Sequence, residues 1–308
     1  MIKVRQFIYF FFVLIILFIG FTVILYLFKP NLSLVKKSLN KDFLIYNYQV
    51  KKIDIESNIK FVFIGDSSLG NGFDADHFEK YTNNRTLNLA LSDIYGLSGQ
   101  YNLLKKVVNK NRNSLKKIFI VTSIYFPLND FEDEAFFITS NNLSDFFIST
   151  SKLKFIKYTY EYSIKSLTAD YFFDEKKYNN FFKKSIYKDY IKQSINKNLK
   201  SKAIPDNIDY QKKIFYLKKI IELCKKNNIE LIKLYGPHYV DMPNKLNQYM
   251  ETNNKIFQQL KIHKFKNIKH LVKFGKEQLG DKLTHVSPKN KIDITQKYIY
   301  LLNKKGLL

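Results

Sequence analysis

The sequence predicts an α/β fold built on a parallel β-sheet, in a chain that also carries one long apolar segment near its start. From residue 60 onward, short apolar runs of strand type alternate with amphipathic helical stretches. This alternation is typical of parallel strands joined by right-handed helical crossovers. The 308 residues, 45% of them hydrophobic, are sufficient for one large core. We therefore expect an anchor at 1–29, a stalk at 30–57 and one α/β domain at 58–308.

The apolar segment, Phe7 to Phe28, contains no charged residue. As a helix its 22 residues would span about 33 Å, against a bilayer core of about 30 Å. The sequence from Lys29 onward lacks the small-residue cleavage site of a signal peptide. Lysines lie on both sides, so the positive-inside rule gives no clean orientation. Because one N-terminal span precedes a large domain, we expect an uncleaved, single-pass anchor with the domain on the extracytoplasmic side.

The first half of the domain contains three predicted strands and two predicted helices. A polar, Lys-rich stretch, Asn31 to Ile59, precedes them and is interpreted as the stalk. The elements then follow in chain order: a strand at Phe61–Ile64, a helix at Asp74–Tyr81, a strand at Thr86–Leu91, a helix at Ser98–Asn109 and a strand at Lys117–Ser123.

Between residues 128 and 205 the pattern changes to a stretch rich in Phe and Tyr among Lys, Asn and Ser. Helical spacing over Lys152–Ser166 and Tyr178–Leu199 predicts a helical insertion rather than a second domain. We interpret its aromatic residues as packing residues in the first place. An insertion at this point would overhang the carboxyl edge of the sheet.

The alternation then resumes and predicts five further elements: a helix at Tyr210–Asn227, a strand at Glu230–Tyr235, a helix at Lys245–Leu260, a strand at His270–Phe274 and a helix at Lys289–Asn303. The completed pattern is a doubly wound sheet, in which the carboxyl ends of all strands open on one edge.

The formal net charge of +24 raises the question of nucleic-acid binding. Of the 51 basic residues, however, only three are arginine, the residue that base-edge recognition favours. The lysines are also spread along the whole chain. We therefore expect no nucleic-acid partner, and a general attraction to anionic lipid or polyanionic glycan instead. The single cysteine, Cys224, provides neither a disulfide framework nor a cysteine-based metal site.

The most informative stretch follows the first strand, where Gly65-Asp66-Ser67-Ser68 reads as a tight turn into a helix. A serine on such a bend presents its hydroxyl at the carboxyl edge of the sheet. The backbone N–H groups that follow, including that of Ser68, lie at a helix start where they can bind an oxyanion. Asp and Ser are also common helix caps, so simple capping is the alternative.

A second feature favours catalysis: His285 and Asp281 lie together just before the last helix. Serine needs an imidazole to accept its proton, and the imidazole needs a carboxylate to fix its tautomer. Strand ends of a doubly wound sheet share one edge, so Ser67 and His285 can meet there. His238, which follows the fourth strand, lies at the same edge and is a candidate binding residue.

This arrangement resembles the SGNH, or GDSL-type, hydrolase superfamily, and within it the membrane-anchored group similar to DltD-type proteins of cell-envelope modification. The resemblance covers about Asn58–Asn303, apart from the insertion. It implies a flavodoxin-like doubly wound sheet, Ser67 as nucleophile, His285 as base and Asp281 as its orienting acid. It further implies an oxyanion donor in the stretch after the second strand, with Gly96 as candidate and Ala90 or Ser92 as rivals.

Two departures from the family pattern keep a second hypothesis open. Asp281 is one residue further from His285 than the family spacing, with Lys282 in its place, and Thr122-Ser123-Ile124-Tyr125 stands where the family has Gly-x-Asn-Asp. The first hypothesis is a membrane-anchored serine esterase or O-acyltransferase acting on an envelope polysaccharide. The second is a catalytically degraded assembly or binding factor that contacts glycan or a membrane acyltransferase. We expect no metal and no cofactor in either case.

Overall fold

The computed structural model describes residues 2–27, 41–126, 132–140, 153–154, 156–161, 210–241, 246–257, 265–267, 270–280 and 282–308. The chain divides into two compact units. One comprises Met1–Leu44 with Ser140–Tyr178, and the other comprises Ile45–Thr139 with Asn179–Leu308.

The helices of the described chain are, in order, α1 (Ile2–Leu27), α2 (Lys41–Ile55), α3 (Ser67–Gly72), α4 (Ala75–Thr82), α5 (Gly96–Lys110), α6 (Glu132–Thr139), α7 (Gln211–Lys226), α8 (Leu246–Phe257) and α9 (Lys291–Lys304). Residues 156–161 are also helical. The predicted helix over Tyr178–Leu199 lies outside the described residues.

A five-stranded parallel sheet forms the centre of the second unit. Its strands are β1 (Phe61–Gly65), β2 (Thr86–Ala90), β3 (Lys117–Thr122), β4 (Glu230–Tyr235) and β6 (Phe265–Asn267), in the spatial order β2-β1-β3-β4-β6. Every residue of β1 and β2 is buried, as expected when helices cover both faces of a parallel sheet. The prediction of a parallel α/β fold is confirmed.

Aromatic packing fills one face of this sheet. The ring of Phe63 stacks on Phe119 with centroids 4.3 Å apart and on Phe73 at 3.9 Å, and Phe78 meets it edge-on at 5.0 Å. All four side chains are fully buried. Burial of this area and the ring geometry both stabilise the unit, so the strand that leads to Ser67 is held on a rigid base.

The fifth strand differs from the prediction. The sheet ends with β6, whereas Lys273–Phe274 forms β7, which pairs with β5 (His238–Tyr239) in a separate two-stranded parallel sheet. The backbone N–H and carbonyl groups of the segment after β4 need hydrogen-bond partners, and the strand near residue 273 provides them. The His238 N–H, for example, donates to the Val272 carbonyl at 3.1 Å. A short apolar run such as His270–Phe274 fits either sheet, so its pattern alone does not select one.

The predicted stalk also differs from the structure over its second half. Residues 41–55 form α2, and Ile45, Tyr46, Gln49 and Ile53 on that helix are buried in the second unit. The Nε2 of Gln49 donates to the Ala90 carbonyl at 2.7 Å, and the Nζ of Lys52 donates to the Asn88 carbonyl at 3.1 Å. Both carbonyls lie on β2, the edge strand, so α2 covers an edge that would otherwise be unpaired.

In the first unit, α1 contains a charge-poor apolar stretch at Val4–Ile24 that is long enough to cross a membrane. Only 6% of that stretch is buried inside the protein. A membrane anchor and a signal sequence both have these properties.

We predict that Gln49→Leu lowers the free energy of unfolding by about 1–3 kcal/mol, because the buried Ala90 carbonyl loses its donor. Lys51→Leu, at an exposed position of the same helix, is the matched control and should change stability by less than about 0.5 kcal/mol. Urea unfolding of the full chain in detergent, followed by circular dichroism, measures both. Equal effects would show that the Gln49 bond contributes nothing specific.

Candidate active site

The turn after β1 is formed where three strands approach one another. Gly65 lies so close to β3 that a Cβ added there would be 1.6 Å from the Val121 carbonyl oxygen. Only glycine fits this position without moving a strand. The chain then enters α3 through Asp66, whose extended backbone makes it the N-cap residue.

The Asp66 carboxylate is buried and accepts three hydrogen bonds. Its Oδ1 accepts from the Ser68 N–H at 3.0 Å and from the Ser68 hydroxyl at 2.5 Å, and its Oδ2 accepts from the Ser123 N–H at 2.8 Å. The first two bonds fix the start of α3, and the third ties this turn to the end of β3. Asp66 therefore caps the helix, as the capping hypothesis predicted for this turn. The neighbouring Ser67 does not take part in the cap, so its hydroxyl can make other contacts.

Ser67 and His285 are in direct contact. The Ser67 Oγ lies 2.9 Å from the Nε2 of His285, although the two residues are 218 positions apart in the chain. Ser67 is partly exposed at the first position of α3, and His285 is buried. For the hydroxyl to donate to Nε2, the proton of the neutral imidazole must lie on Nδ1.

The loop that carries His285 is fixed by its own backbone. The His285 N–H donates to the Lys282 carbonyl at 3.0 Å, and its carbonyl accepts from the Gly280 N–H at 2.7 Å. A Cβ at Gly280 would be 2.8 Å from the His285 carbonyl oxygen and 3.2 Å from its Cβ. The close approach of Gly280 therefore sets the position of the imidazole. Asp281, the predicted orienting acid, lies outside the described residues.

The predicted oxyanion donors have different surroundings. The Gly96 N–H donates to the Asp93 carbonyl, and the Ser68 N–H donates to Asp66, so both already have acceptors. The rival Ala90 N–H donates to the Asn88 side chain at 3.0 Å. The N–H groups of Ser67 and Ser92 have no acceptor among the residues that the structure describes.

Strand register places Ser92 and Ser67 at the same edge of the sheet. Gly65 of β1 pairs with Ala90 of β2, and the Leu91 N–H donates to the Gly65 carbonyl at 2.8 Å. Each serine follows its paired residue by two positions, so both lie at the carboxyl edge of adjacent strands. Their two backbone N–H groups are therefore candidate oxyanion donors at this edge.

The loop after β2, residues 91–96, is held from two sides. The Tyr46 ring of α2 stacks on Tyr95 with centroids 5.6 Å apart, beside the Gln49 bond to Ala90. From the other side, the Glu132 carboxylate packs against Gly96, where a Cβ would be 2.5 Å from Oε1. Gly96 has a positive φ of 49°, a second reason for glycine there.

Glu132 is itself part of a buried ion pair. Its carboxylate accepts from the Leu97 N–H at 3.1 Å and the Ser98 N–H at 2.8 Å, and so caps α5. The Nζ of Lys213 lies 3.0 Å from Oε1, and both side chains are almost fully buried. Sequence reasoning missed this pair because its members are 81 positions apart and carry no local motif.

Lys233 is a second buried cation, in the middle of β4. Its Nζ contacts the Leu234 carbonyl and lies over the rings of Tyr235 at 4.5 Å and Phe257 at 5.0 Å. Burial lowers the pKa of Lys233 to about 7, while attraction to Asp66 opposes that decrease. When Lys233 is protonated, its positive charge therefore partly balances the buried negative charge of Asp66.

His238 follows β4 and is 1% exposed. Its two ring nitrogens have no hydrogen-bond partner among the described residues. Burial and the nearby Lys273 lower the pKa of His238 to about 4, so the imidazole is neutral at pH 7. The next residue, Tyr239, donates its N–H to the Leu283 carbonyl at 2.9 Å, which joins this segment to the loop of His285.

The described residues contain no group of three or more His, Cys, Asp or Glu side chains able to hold a metal ion. Cys224 is buried, and burial raises its pKa to about 12, so its thiol is not a reactive group.

No family model and no curated protein matches this sequence. Among solved structures, the chain is similar to an acetyl xylan esterase (Est2A) from the rumen bacterium Butyrivibrio proteoclasticus, with 15% sequence identity and a TM-score of 0.37. The similarity covers 82% of this chain and 65% of that esterase, so the match spans about two thirds of the esterase's length.

We predict that stability becomes less dependent on pH when Lys233 is replaced by methionine. The folded pKa of about 7 lies below the ordinary 10.5, so the unfolded state binds more protons between these values. Stability contributed by this group therefore rises with pH above about 7, by about 1 kcal/mol per pH unit. Lys233→Met should remove that rise in urea unfolding between pH 7 and 9. The exposed Lys218→Met is the control, and an unchanged slope in Lys233→Met would contradict the prediction.

Proposed function

We propose that the protein is a membrane-anchored serine acyl-esterase or O-acyltransferase of SGNH type. The observation that carries this proposal is the 2.9 Å contact between the Ser67 Oγ and the His285 Nε2 at the carboxyl edge of the sheet. A capping serine needs no imidazole, whereas a nucleophilic serine does. The pair therefore favours a catalytic role over a purely binding one.

In the proposed reaction, the Ser67 oxygen attacks the carbonyl carbon of an ester while its proton passes to Nε2 of His285. The tetrahedral intermediate collapses when His285 returns that proton to the leaving alcohol, and an acyl-serine remains. Water or an acceptor hydroxyl then attacks the acyl-serine and gives its proton to His285. When the bond between the acyl group and the Ser67 oxygen breaks, His285 returns the proton to that oxygen and the site is regenerated. Asp281 is proposed to hold the proton of the imidazole on Nδ1.

The negative charge on the intermediate is assigned to two backbone donors, the N–H groups of Ser67 and Ser92. This choice favours Ser92 over Gly96, because the Gly96 N–H is already bonded to Asp93. Two backbone donors at adjacent strand ends resemble the arrangement of other acyl-transfer sites. The buried, neutral His238 is proposed to bind a polar group of the substrate, which would satisfy its ring nitrogens.

The finer assignment to the SGNH type is supported by topology and by the turn. The spatial order β2-β1-β3-β4-β6, in which β6 is the fifth strand of this sheet along the chain, is that of flavodoxin-like sheets. The Gly-Asp-Ser turn follows the first of these strands, and His285 precedes the last helix. The family's Asn-containing block is absent from the sequence; here the Ser123 N–H at that position binds Asp66.

For the substrate, we propose ester-linked acyl groups of a cell-envelope polysaccharide. α1 would anchor the protein, with the second unit on the extracytoplasmic side, where such glycans are found. A membrane acyltransferase is a proposed partner that would supply acyl groups. We favour acyl transfer over free hydrolysis, because a bound acceptor hydroxyl can reach an effective molarity of 10⁵ M or more, far above that of water at about 55 M.

We predict that the full-length protein in detergent reacts with a fluorophosphonate probe and that Ser67→Ala abolishes labelling. Ser68→Ala is the matched control, because the Ser68 hydroxyl is buried and bonded to Asp66 rather than to His285. Ser68→Ala should still be labelled. Labelling that survives Ser67→Ala, or a wild-type protein that does not react, would argue against the proposal.

To distinguish hydrolysis from transfer, the same protein is incubated with a small activated acyl ester and candidate glycans, and the products are analysed. Acylated glycan supports transfer. Free acid alone, at a rate that no glycan changes, would identify a hydrolase.

We predict that Gly280→Ala slows probe labelling by about tenfold or more, since the added Cβ displaces His285 from Ser67. Gly275→Ala lies in the same region, with no atom within 4 Å of its added Cβ, and should react at the wild-type rate. Thermal unfolding of both variants confirms that they are folded. Equal labelling rates would show that the Gly280 contact does not position the imidazole.

A further inference from the structure

In the first unit, part of the insertion contacts the apolar helix α1. The Tyr160 ring stacks on Phe18 with centroids 5.6 Å apart and planes 8° from parallel, and it lies 6.3 Å from the Phe21 ring. The Tyr160 hydroxyl is 3.3 Å from the Thr22 Oγ1. These contacts join the helical residues 156–161 to one end of α1.

Thr22 shows that this contact is specific. Most side chains of the Val4–Ile24 stretch are exposed, whereas Thr22 is only 4% exposed. Its hydroxyl donates to the Phe18 carbonyl at 2.8 Å and faces the Tyr160 hydroxyl on its other side. A hydroxyl in hydrocarbon needs such partners, because no water is available there.

The position of Thr22 along α1 gives the depth of the contact. The uncharged segment Phe7–Phe28 has its midpoint between Leu17 and Phe18, and Thr22 lies four to five residues further along. At 1.5 Å per residue this is about 7 Å, and half of a bilayer core is about 15 Å. If α1 spans the membrane, Thr22 and the Tyr160 ring lie in the hydrocarbon of one leaflet, about halfway between the bilayer centre and the headgroups.

The chemistry of residues 156–161 allows this segment to reach the headgroups from that depth. Tyrosine is enriched at the membrane–water interface, because its ring is apolar and its hydroxyl is polar. Tyr158 and Tyr160 are both in this segment, and the exposed Lys157 has its Nζ 5.8 Å from the Tyr158 ring. A lysine at this depth can extend its ammonium to lipid phosphates, an attraction of about 1 kcal/mol at an anionic surface.

We infer that residues 156–161 form a second membrane contact, in which Tyr160 packs on α1 within one leaflet and the segment extends its polar groups to the lipid headgroups. The partner of this surface is the lipid bilayer itself. The inference rests on the proposed role of α1 as an anchor and adds that the insertion returns to the same membrane. It does not depend on the chemistry of Ser67.

The chain contains no tryptophan, so one introduced tryptophan is a unique fluorescent reporter of depth. The full-length Tyr160→Trp protein is reconstituted into phosphatidylcholine–phosphatidylglycerol vesicles whose acyl chains carry bromine either near the headgroup or near the bilayer centre. Bromine quenches tryptophan on contact. We expect bromine in the acyl chains to quench Trp at position 160, with a larger share from the shallow bromines than for Trp at position 14.

Leu14→Trp is the matched variant for α1 and should be quenched most by the deep bromines. Tyr158→Trp leaves the Tyr160 contact intact and should also be quenched, which covers the case in which Tyr160→Trp disturbs packing. Deep quenching at position 14 with no quenching at 158 and 160 would overturn this inference and leave the anchor standing. No quenching at position 14 would overturn the anchor and the inference together, while probe labelling of Ser67 would still test the catalytic proposal by itself.

Discussion

The Asp66 carboxylate is the interaction on which the geometry of the site depends. It accepts three hydrogen bonds at once, two from Ser68 in α3 and one from the end of β3. A buried carboxylate is costly unless its oxygens are bonded in this way, and the nearby Lys233 reduces the remaining charge. With Asp66 fixed, the backbone has little freedom at the next residue, so the Ser67 hydroxyl points in a defined direction. The second requirement for the contact between Ser67 and His285 is a fixed position of the loop that carries His285.

The site is assembled from several segments of the chain that are joined by side chain to backbone hydrogen bonds, by ring stacking and by close backbone packing. α2 holds the loop after β2 through Gln49 and Tyr46, Glu132 holds the same loop through Gly96 and α5, and Gly280 holds His285. A side chain held by packed neighbours does not have to be ordered again when substrate binds. The loop that presents the Ser92 N–H is thus braced by both α2 and α6.

Sequence reasoning predicted the parts of this arrangement that have a local signature. The Phe61–Ile64 run and the turn after it identified Ser67, and an isolated histidine before the last helix identified His285. The sequence did not predict that four polar side chains are buried, namely Gln49, Glu132, Lys213 and Lys233. A polar residue is expected at the surface unless its buried partner is known. The fifth strand was misplaced because a short apolar run near residue 270 fits more than one sheet. The predicted stalk reads as polar, yet its Ile45, Tyr46 and Ile53 repeat at helical spacing on one buried face.

If α1 anchors the protein as proposed, the covering of β2 by α2 has a consequence for neighbouring molecules. Anchored molecules move in two dimensions and meet one another far more often than the same number in solution, so an open strand edge would be a persistent site for pairing between neighbours. Gln49 and Lys52 occupy the β2 carbonyls that a second chain would need. Crowding along the membrane surface can then bring these molecules together without joining their sheets.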